Sequence, residues 1–176
     1  MILLEDTRNK ISKHKTKNDW FAQNDIEVHR TKLYVGDYTL PTNQKICVDT
    51  KQNIGEIENN ICGKSHERFK NELVRAQEAE MQLYILVENE DGVTCIQDLF
   101  KWENPRLYRY NKVKYMHSIG KWSSVKLQKK PPTKGETLAK AMVTMEKEYG
   151  VRFMFCHPNE AGAKVVELLE GSKDDG

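Results

Sequence analysis

Apolar residues recur along this chain with two different periods. Ile2-Leu3-Leu4 is a short run of strand length, and Leu83-Tyr84-Ile85-Leu86-Val87 is a continuous one. Continuity of that kind suits a central strand covered on both faces. Ile26 to Val28 and Lys32 to Val35 read as extended, the latter closing at the turn residues Gly36-Asp37. After the Pro41-Thr42-Asn43 turn, Lys45 to Lys51 reads as the partner strand of a hairpin. Elsewhere the spacing is helical. Ser12 to Asn24 is a polar, lysine-rich helix carrying Trp20 and Phe21, and Ser65 to Glu80 sets Phe69, Leu73 and Ala76 on one face. Glu90-Asp91-Gly92 turns the chain. Beyond Pro131-Pro132, Thr133 and Glu136 predict a capping box for a helix to Tyr149, ended by Gly150. Val151 to Cys156 then reads as a strand and Asn159 to Glu170 as a last helix, stopped at Gly171. The alternation predicts an α/β domain with a mixed central sheet flanked by helices.

Composition narrows the class. The 176 residues fit one domain, large enough to fold on its own core without disulfides or structural metal. A mean hydropathy of -0.74, with no apolar run near the roughly 18 residues of a membrane span, predicts a chain with no membrane partner. Met1 to Glu5 lacks the features of a signal peptide. Cys47, Cys62, Cys95 and Cys156 lie far apart and form no C-x-x-C pair, which fits reduced thiols in an intracellular setting. The formal net charge is +2, but the sum hides its distribution. Between Arg106 and Lys130 there are eight basic residues and no acidic one, leaving 20 basic against 26 acidic elsewhere, a net of −6. Arg106, Arg109, Lys112, Lys114, Lys121, Lys126, Lys129 and Lys130 are interleaved with Tyr108, Tyr110, Tyr115 and Trp122. Cations to neutralise phosphates, with aromatic rings to stack on bases, are the equipment of a nucleic-acid grip. The competing reading is a solvated excursion whose rings pack on the body.

The chemistry gathers where the hairpin meets the next helix. One residue separates Asp49 from Lys51, so strand geometry turns both to the same face, with Val48 and Thr50 pointing the other way. Asp37, after Gly36, is positioned for its carboxylate to meet that of Asp49 across the hairpin. Two carboxylates at contact repel unless a cation lies between them, and oxygen ligands of this kind suit Mg²⁺ or Mn²⁺. A lysine beside such a metal offsets charge developing on a phosphate. A charged strand edge exposed to water gives the same pattern.

Gly36-Asp37-Tyr38 followed by Ile46-Cys47-Val48-Asp49-Thr50-Lys51 resembles the GDY…VERK signature of XPF-type nuclease domains, in the PD-(D/E)XK superfamily. Leu3-Leu4-Glu5-Asp6-Thr7-Arg8 resembles that family's opening V-D-x-R-E strand, Arg68 to Leu73 its post-signature helix, and Leu83 to Glu88 its LLVE strand. The similarity spans about Ile2 to Glu88 and Thr133 to Leu169, in the manner of the short stand-alone versions in bacteria and their phages. It implies a restriction-endonuclease-like domain over residues 1–170. The basic segment, about 101–132, lies outside the signature, and 171–176 is expected as a disordered tail.

The resemblance further implies a DNA endonuclease for branched, flapped or forked duplexes in repair, recombination or replication, with Mg²⁺ or Mn²⁺ as cofactor. The setting implied is the cytoplasm of a bacterial or phage-infected cell. Asp37, Asp49 and Lys51 would be catalytic, and Asp6, Asp37 and Asp49 would hold metal. Arg8, Glu56, Arg68 and Glu72 are supporting candidates, Glu72 alternatively pairing with Arg68 and Arg75 at the surface. DNA contacts fall to Arg106, Arg109, Lys112, Lys114, Lys121, Trp122, Lys126, Lys129 and Lys130. A homodimer, or a replication or recombination protein, would complete targeting. The chain departs from the signature at Asn9, Asp49, Thr50 and Gly55, where the family has glutamate, glutamate, arginine and an acid. The second reading is therefore an inactive module that recognises branched DNA for a partner.

Overall fold

In a computed structural model describing residues 1–171, the first strand, β1 (Ile2–Asp6), pairs in parallel with β2 (Glu27–Thr31), the two joined through α1 (Lys15–Gln23). The short β3 (Tyr38–Leu40) runs antiparallel to β1 on one side and to β4 (Asn43–Lys51) on the other. β4 then pairs in parallel with β5 (Gln82–Glu88), and β5 with β6 (Arg152–Cys156). The result is a six-stranded mixed sheet in the order β2-β1-β3-β4-β5-β6. All but the first residue of the tail expected from 171 lie outside the described residues.

Helices cover both faces, as the continuous apolar β5 demands. On one side α2 (Ile54–Cys62), α3 (His66–Glu78) and α5 (Gly135–Tyr149) pack over Leu83, Ile85 and Val87. On the other, α1 and α6 (Ala161–Glu170) cover Val48 and Leu86 with Phe21, Val165 and Leu168. Alternate residues of β5 thus feed two cores. Phe69, Leu73 and Ala76 form the buried face of α3, as their spacing predicts. Among the described residues no helix is long and apolar enough to cross a membrane.

Three expectations are corrected. Lys32 to Val35 joins no strand, because Leu33 and Val35 are buried as loop residues. Their alternation imitates a strand while the chain is leaving the sheet. Gly36, at φ +76°, makes the turn, and β3 begins only at Tyr38. Second, Thr133 does not cap α5: the flanking residue is Lys134, with no side-chain cap. The Thr133 carbonyl instead accepts from Asn104 Nδ2 at 2.9 Å, which ties together the base of the basic segment. Third, that segment is no simple excursion. Its first half is α4 (Pro105–Ser118), with Asn104 accepting from the Arg106 amide and Pro105 in the first turn. α2 also goes unmarked in the strand-and-helix reading, although Asn53 caps it and Ile54, Ile57 and Ile61 share one buried face.

Gly135 opens α5 against backbone. A Cβ there would stand well inside contact distance of the Leu99 and Trp102 carbonyl oxygens. Gly135→Ala is therefore expected to destabilise the domain by about 3 kcal/mol, the upper part of the range for overpacking. The urea midpoint measures it; an unchanged midpoint would show that the helix start shifts freely.

Candidate active site

An open cleft of about 590 Å³ lies at the Lys51 end of β4. Asp6, Arg8, Asp37, Asp49, Lys51, Glu56, Arg68 and Glu72 all line it. Every catalytic, metal-holding and supporting residue expected from the sequence is thus in one place, although the chain separates them by up to 66 positions. Strand period places Asp49 and Lys51 together, with Lys51 Nζ 2.6 Å from Asp49 Oδ2 and 5.5 Å from the centre of the Phe69 ring. The Gly36 turn delivers Asp37. Its amide donates to the Val48 carbonyl at 2.8 Å, and its own carbonyl accepts from the Asp6 amide at 2.9 Å. Tyr38, next in sequence, is fully buried and shares a 2.7 Å hydrogen bond with His14 Nδ1.

The carboxylates are not equivalent. Asp49 is buried, and burial, then repulsion from Glu72 and Asp37, holds its pKa well above the usual carboxylate range in spite of Lys51. Burial alone would lower Lys51, but Asp49, Asp37 and Glu72 together outweigh it and raise it above the ordinary lysine value. Beside burial, both groups feel the same imbalance: the charges of Asp49, Asp37 and Glu72 act on one ammonium. Asp49 Oδ2 is buried without a hydrogen bond, its contact with Lys51 being off-angle. A buried oxygen whose one partner is an off-angle ammonium, in a centre where the charges of three carboxylates bear on that single lysine, fits a hard divalent cation. Among the described residues no three His, Cys, Asp or Glu side chains converge to enclose an ion. Asp37 and Asp49 are the carboxylates that would hold such an ion, with water completing its shell as is usual for Mg²⁺.

Asp6 and Glu72 have other partners. Arg8 Nε donates to Oδ1 and Oδ2 of Asp6 at 3.0 and 2.8 Å, and its Nη2 pairs with the same carboxylate while donating to the Leu33 carbonyl. Asp6 is 2% exposed and Arg8 half-exposed, so the acid fixes a guanidinium at the cleft mouth. Glu72 accepts from the Gly36 amide at 3.1 Å and pairs with neither Arg68 nor Arg75. It holds the turn that carries Asp37. Glu56 sits in the first turn of α2 and accepts from the Gln52 amide at 2.9 Å.

Sequence reasoning missed several lining residues, among them Lys10, Lys13, His14, Thr50 and Arg75. Thr50 is the most informative. Its amide and hydroxyl both donate to Asp37 Oδ2, at 2.9 and 2.7 Å, and among the described residues Oδ1 receives no hydrogen bond. The residue that stands where the resembled signature has arginine thus holds one oxygen of Asp37 and leaves the other without a hydrogen bond in a residue that lines the cleft. Its direction on β4, away from Asp49 and Lys51, gives no sequence signal for this, because Asp37 arrives from the turn before β3. Thr50→Val is expected to weaken divalent-cation affinity by about 10-fold, within the range for residues that orient a ligand, and Thr50→Ser to restore it. Titration calorimetry with Mn²⁺ checks both; equal affinity in all three proteins would remove the role.

The rim is cationic. Arg8, Lys10, Lys13, Arg68 and Arg75 surround the acidic centre. The nine expected DNA-contact residues lie outside the cleft, on α4 and the return to α5. Arg106 pairs with the buried Glu58 of α2, anchoring α4 rather than facing solvent alone. Lys112 lies over the Trp122 ring, 5.6 Å from its centre. Arg109, Lys114, Lys121, Lys126, Lys129 and Lys130 are exposed and in no ion pair among the described residues.

Residues 6–169 match the family model of the ERCC4 domain. Among solved structures, the fold is similar to XPF from Aeropyrum pernix, with a TM-score of 0.59 and 17% identity over 99% of this chain and 66% of that one. A second structure, described as XPF from Aeropyrum pernix in complex with DNA, gives 0.58 and 16% over 96% and 63%. At these identities the likeness shows the fold, and this chain spans just under two thirds of either. No curated protein sequence matches it.

Proposed function

This chain belongs to the ERCC4 domain family, and on that premise we propose that it is a metal-dependent endonuclease cleaving phosphodiester bonds in branched or flapped DNA. The observation that carries the reading is the Asp37–Asp49–Lys51 centre, acidic and short of cations, beneath a rim of arginines and lysines. Such a layout suits a polyanion whose phosphate approaches a divalent cation. Asp37 and Asp49 would hold Mg²⁺ or Mn²⁺. When bound, that ion supplies Lewis acidity at the phosphate and lowers the pKa of a coordinated water. Lys51, buried and kept charged by its three acidic neighbours, faces the developing negative charge without needing to be ordered at the moment of reaction. Arg8, locked by Asp6, and Arg68 draw the backbone into place.

DNA repair, recombination or replication, in a compartment that keeps the four free cysteines reduced, is the setting this activity suits, with a second copy or a partner protein completing the targeting. Purified protein with labelled flap, fork and plain duplex DNA tests it. Nicking of the branched substrates is expected with Mg²⁺ or Mn²⁺ and not with EDTA; absence of nicking in either metal would overturn the proposal. Capture of both Asp6 oxygens by Arg8 favours one competing reading, a non-cleaving DNA-binding module. Its mark is binding that falls steeply with salt and ignores divalent metal beyond its ionic strength.

A further inference from the structure

The outer face of α4 has no part in the cleft. Tyr108, Lys112, Tyr115 and Ile119 follow at intervals of four, three and four residues, one stripe on a helix of about 3.6 residues per turn. Tyr108 is 76% exposed and Tyr115 63%, and Ile119 is also exposed. Trp122 closes the row, stacked on Lys112 yet 41% exposed. Only Val113 of this helix is buried, so α4 spends little of its apolar surface on its own domain.

Charge decides what suits this face. From Arg106 to Lys130 the chain carries eight basic residues and no acidic one, so the same face of a second copy would be repelled. A neutral protein surface would leave the cations unmatched. Paired DNA offers phosphates but hides its base faces inside the stack. An unpaired strand presents both a line of phosphates and bare rings, and stacking on aromatic side chains is indifferent to sequence. The position also fits. Arg106 fastens the start of α4 to Glu58 of α2, and the first turn of that same helix, at Glu56, borders the cleft.

We propose that the Tyr108–Tyr115 face of α4 is a platform for an unpaired DNA strand, the flap or gap of a branched substrate, whose bases stack on the two tyrosines beside the Lys112–Trp122 pair. This rests on DNA being the substrate but not on cleavage. Anisotropy in EDTA, with the full chain, compares a labelled unpaired oligothymidine, its abasic counterpart and a duplex of equal length. Tyr108→Ala and Tyr115→Ala are each expected to weaken binding of the base-bearing strand about 10-fold, with the phenylalanine variants restoring it. Duplex and abasic affinities stay within a factor of two. Both tyrosines are exposed, so the fold survives the change, which circular dichroism checks.

Equal losses on all three DNAs, or none, would overturn the platform and leave phosphate attraction alone. So would a tyrosine-dependent dimer in sedimentation, which would reassign the face to a second copy. Failure of this test with metal-dependent nicking intact leaves the nuclease reading standing; binding as expected without nicking overturns only that reading.

Discussion

Asp49→Asn is expected to abolish the response to divalent cations while leaving the fold in place. Asparagine keeps the size of the buried side chain and removes the charge that burial, Glu72 and Asp37 oppose. The folded-state pKa of Asp49 is raised above its ordinary 3.8, so its contribution favours folding below the ordinary value. That contribution is lost as pH rises through the folded value. A bound cation offsets the loss, and protons compete with it for the same oxygens. In the unmodified protein, Mn²⁺ should therefore stabilise the fold by about 2.7 kcal/mol once the metal reaches 100 times its Kd, and the rise in Tm that reports this at a fixed Mn²⁺ concentration should grow as pH rises. In Asp49→Asn that gain should vanish at every pH, cation affinity should fall by about 100-fold or more, and nicking should disappear. Scanning calorimetry with and without Mn²⁺ reads this directly. A full Mn²⁺-dependent shift in the variant would place the ion elsewhere.

Lys51→Met should separate binding from chemistry. The loss of one preorganised charge facing the reacting phosphate is worth about 10²–10³ in rate. DNA affinity, set by the rim and α4, should hold, and so should cation affinity, since a neighbouring positive charge has gone. Stability in EDTA should fall, by about 3 kcal/mol or more, because removing one partner of a buried pair strands the other. Mn²⁺ should return much of it. Lys51→Arg is not expected to rescue the rate, since a planar guanidinium cannot take the place of a compact ammonium at 2.6 Å from Asp49 over the Phe69 ring. Single-turnover cleavage alongside anisotropy checks the separation; full activity in Lys51→Met would end the role.

Much of this site is legible in the sequence because part of it is local. Asp49 and Lys51 share a face through a spacing of two on a strand, whatever the rest of the chain does. Asp37 follows from the hairpin, whose turn sets its carboxylate across from Asp49, whereas Asp6 enters only through resemblance to a family signature, since nothing local to it names its partner. Thr50 shows where such reading stops. From its own strand it points away from the catalytic pair, and only the arrival of Asp37 from the Gly36 turn gives its hydroxyl a task. Arg106 shows the same in reverse. Its place in a basic run suggests phosphate, but α4 folds back until its guanidinium pairs with Oε2 of Glu58, a buried acid of α2. Leu33 and Val35 mislead because a loop that buries every second residue has the period of a strand.

The sequence alone carries the α/β class, the two-faced central strand, the D-x-K pair and the split into an acidic body and a basic segment. Each follows from periodicity or from charge counted along the chain, and backbone geometry fixes such relations within a few residues. The tertiary structure decides which donor or cation each carboxylate meets: Arg8 for Asp6, the Gly36 amide for Glu72, the Thr50 amide and hydroxyl for Asp37, and for Asp49 only an off-angle lysine. Those pairings join residues from different elements. Coulomb energy and desolvation depend on distance and burial, and neither exists until the sheet and its helices have packed.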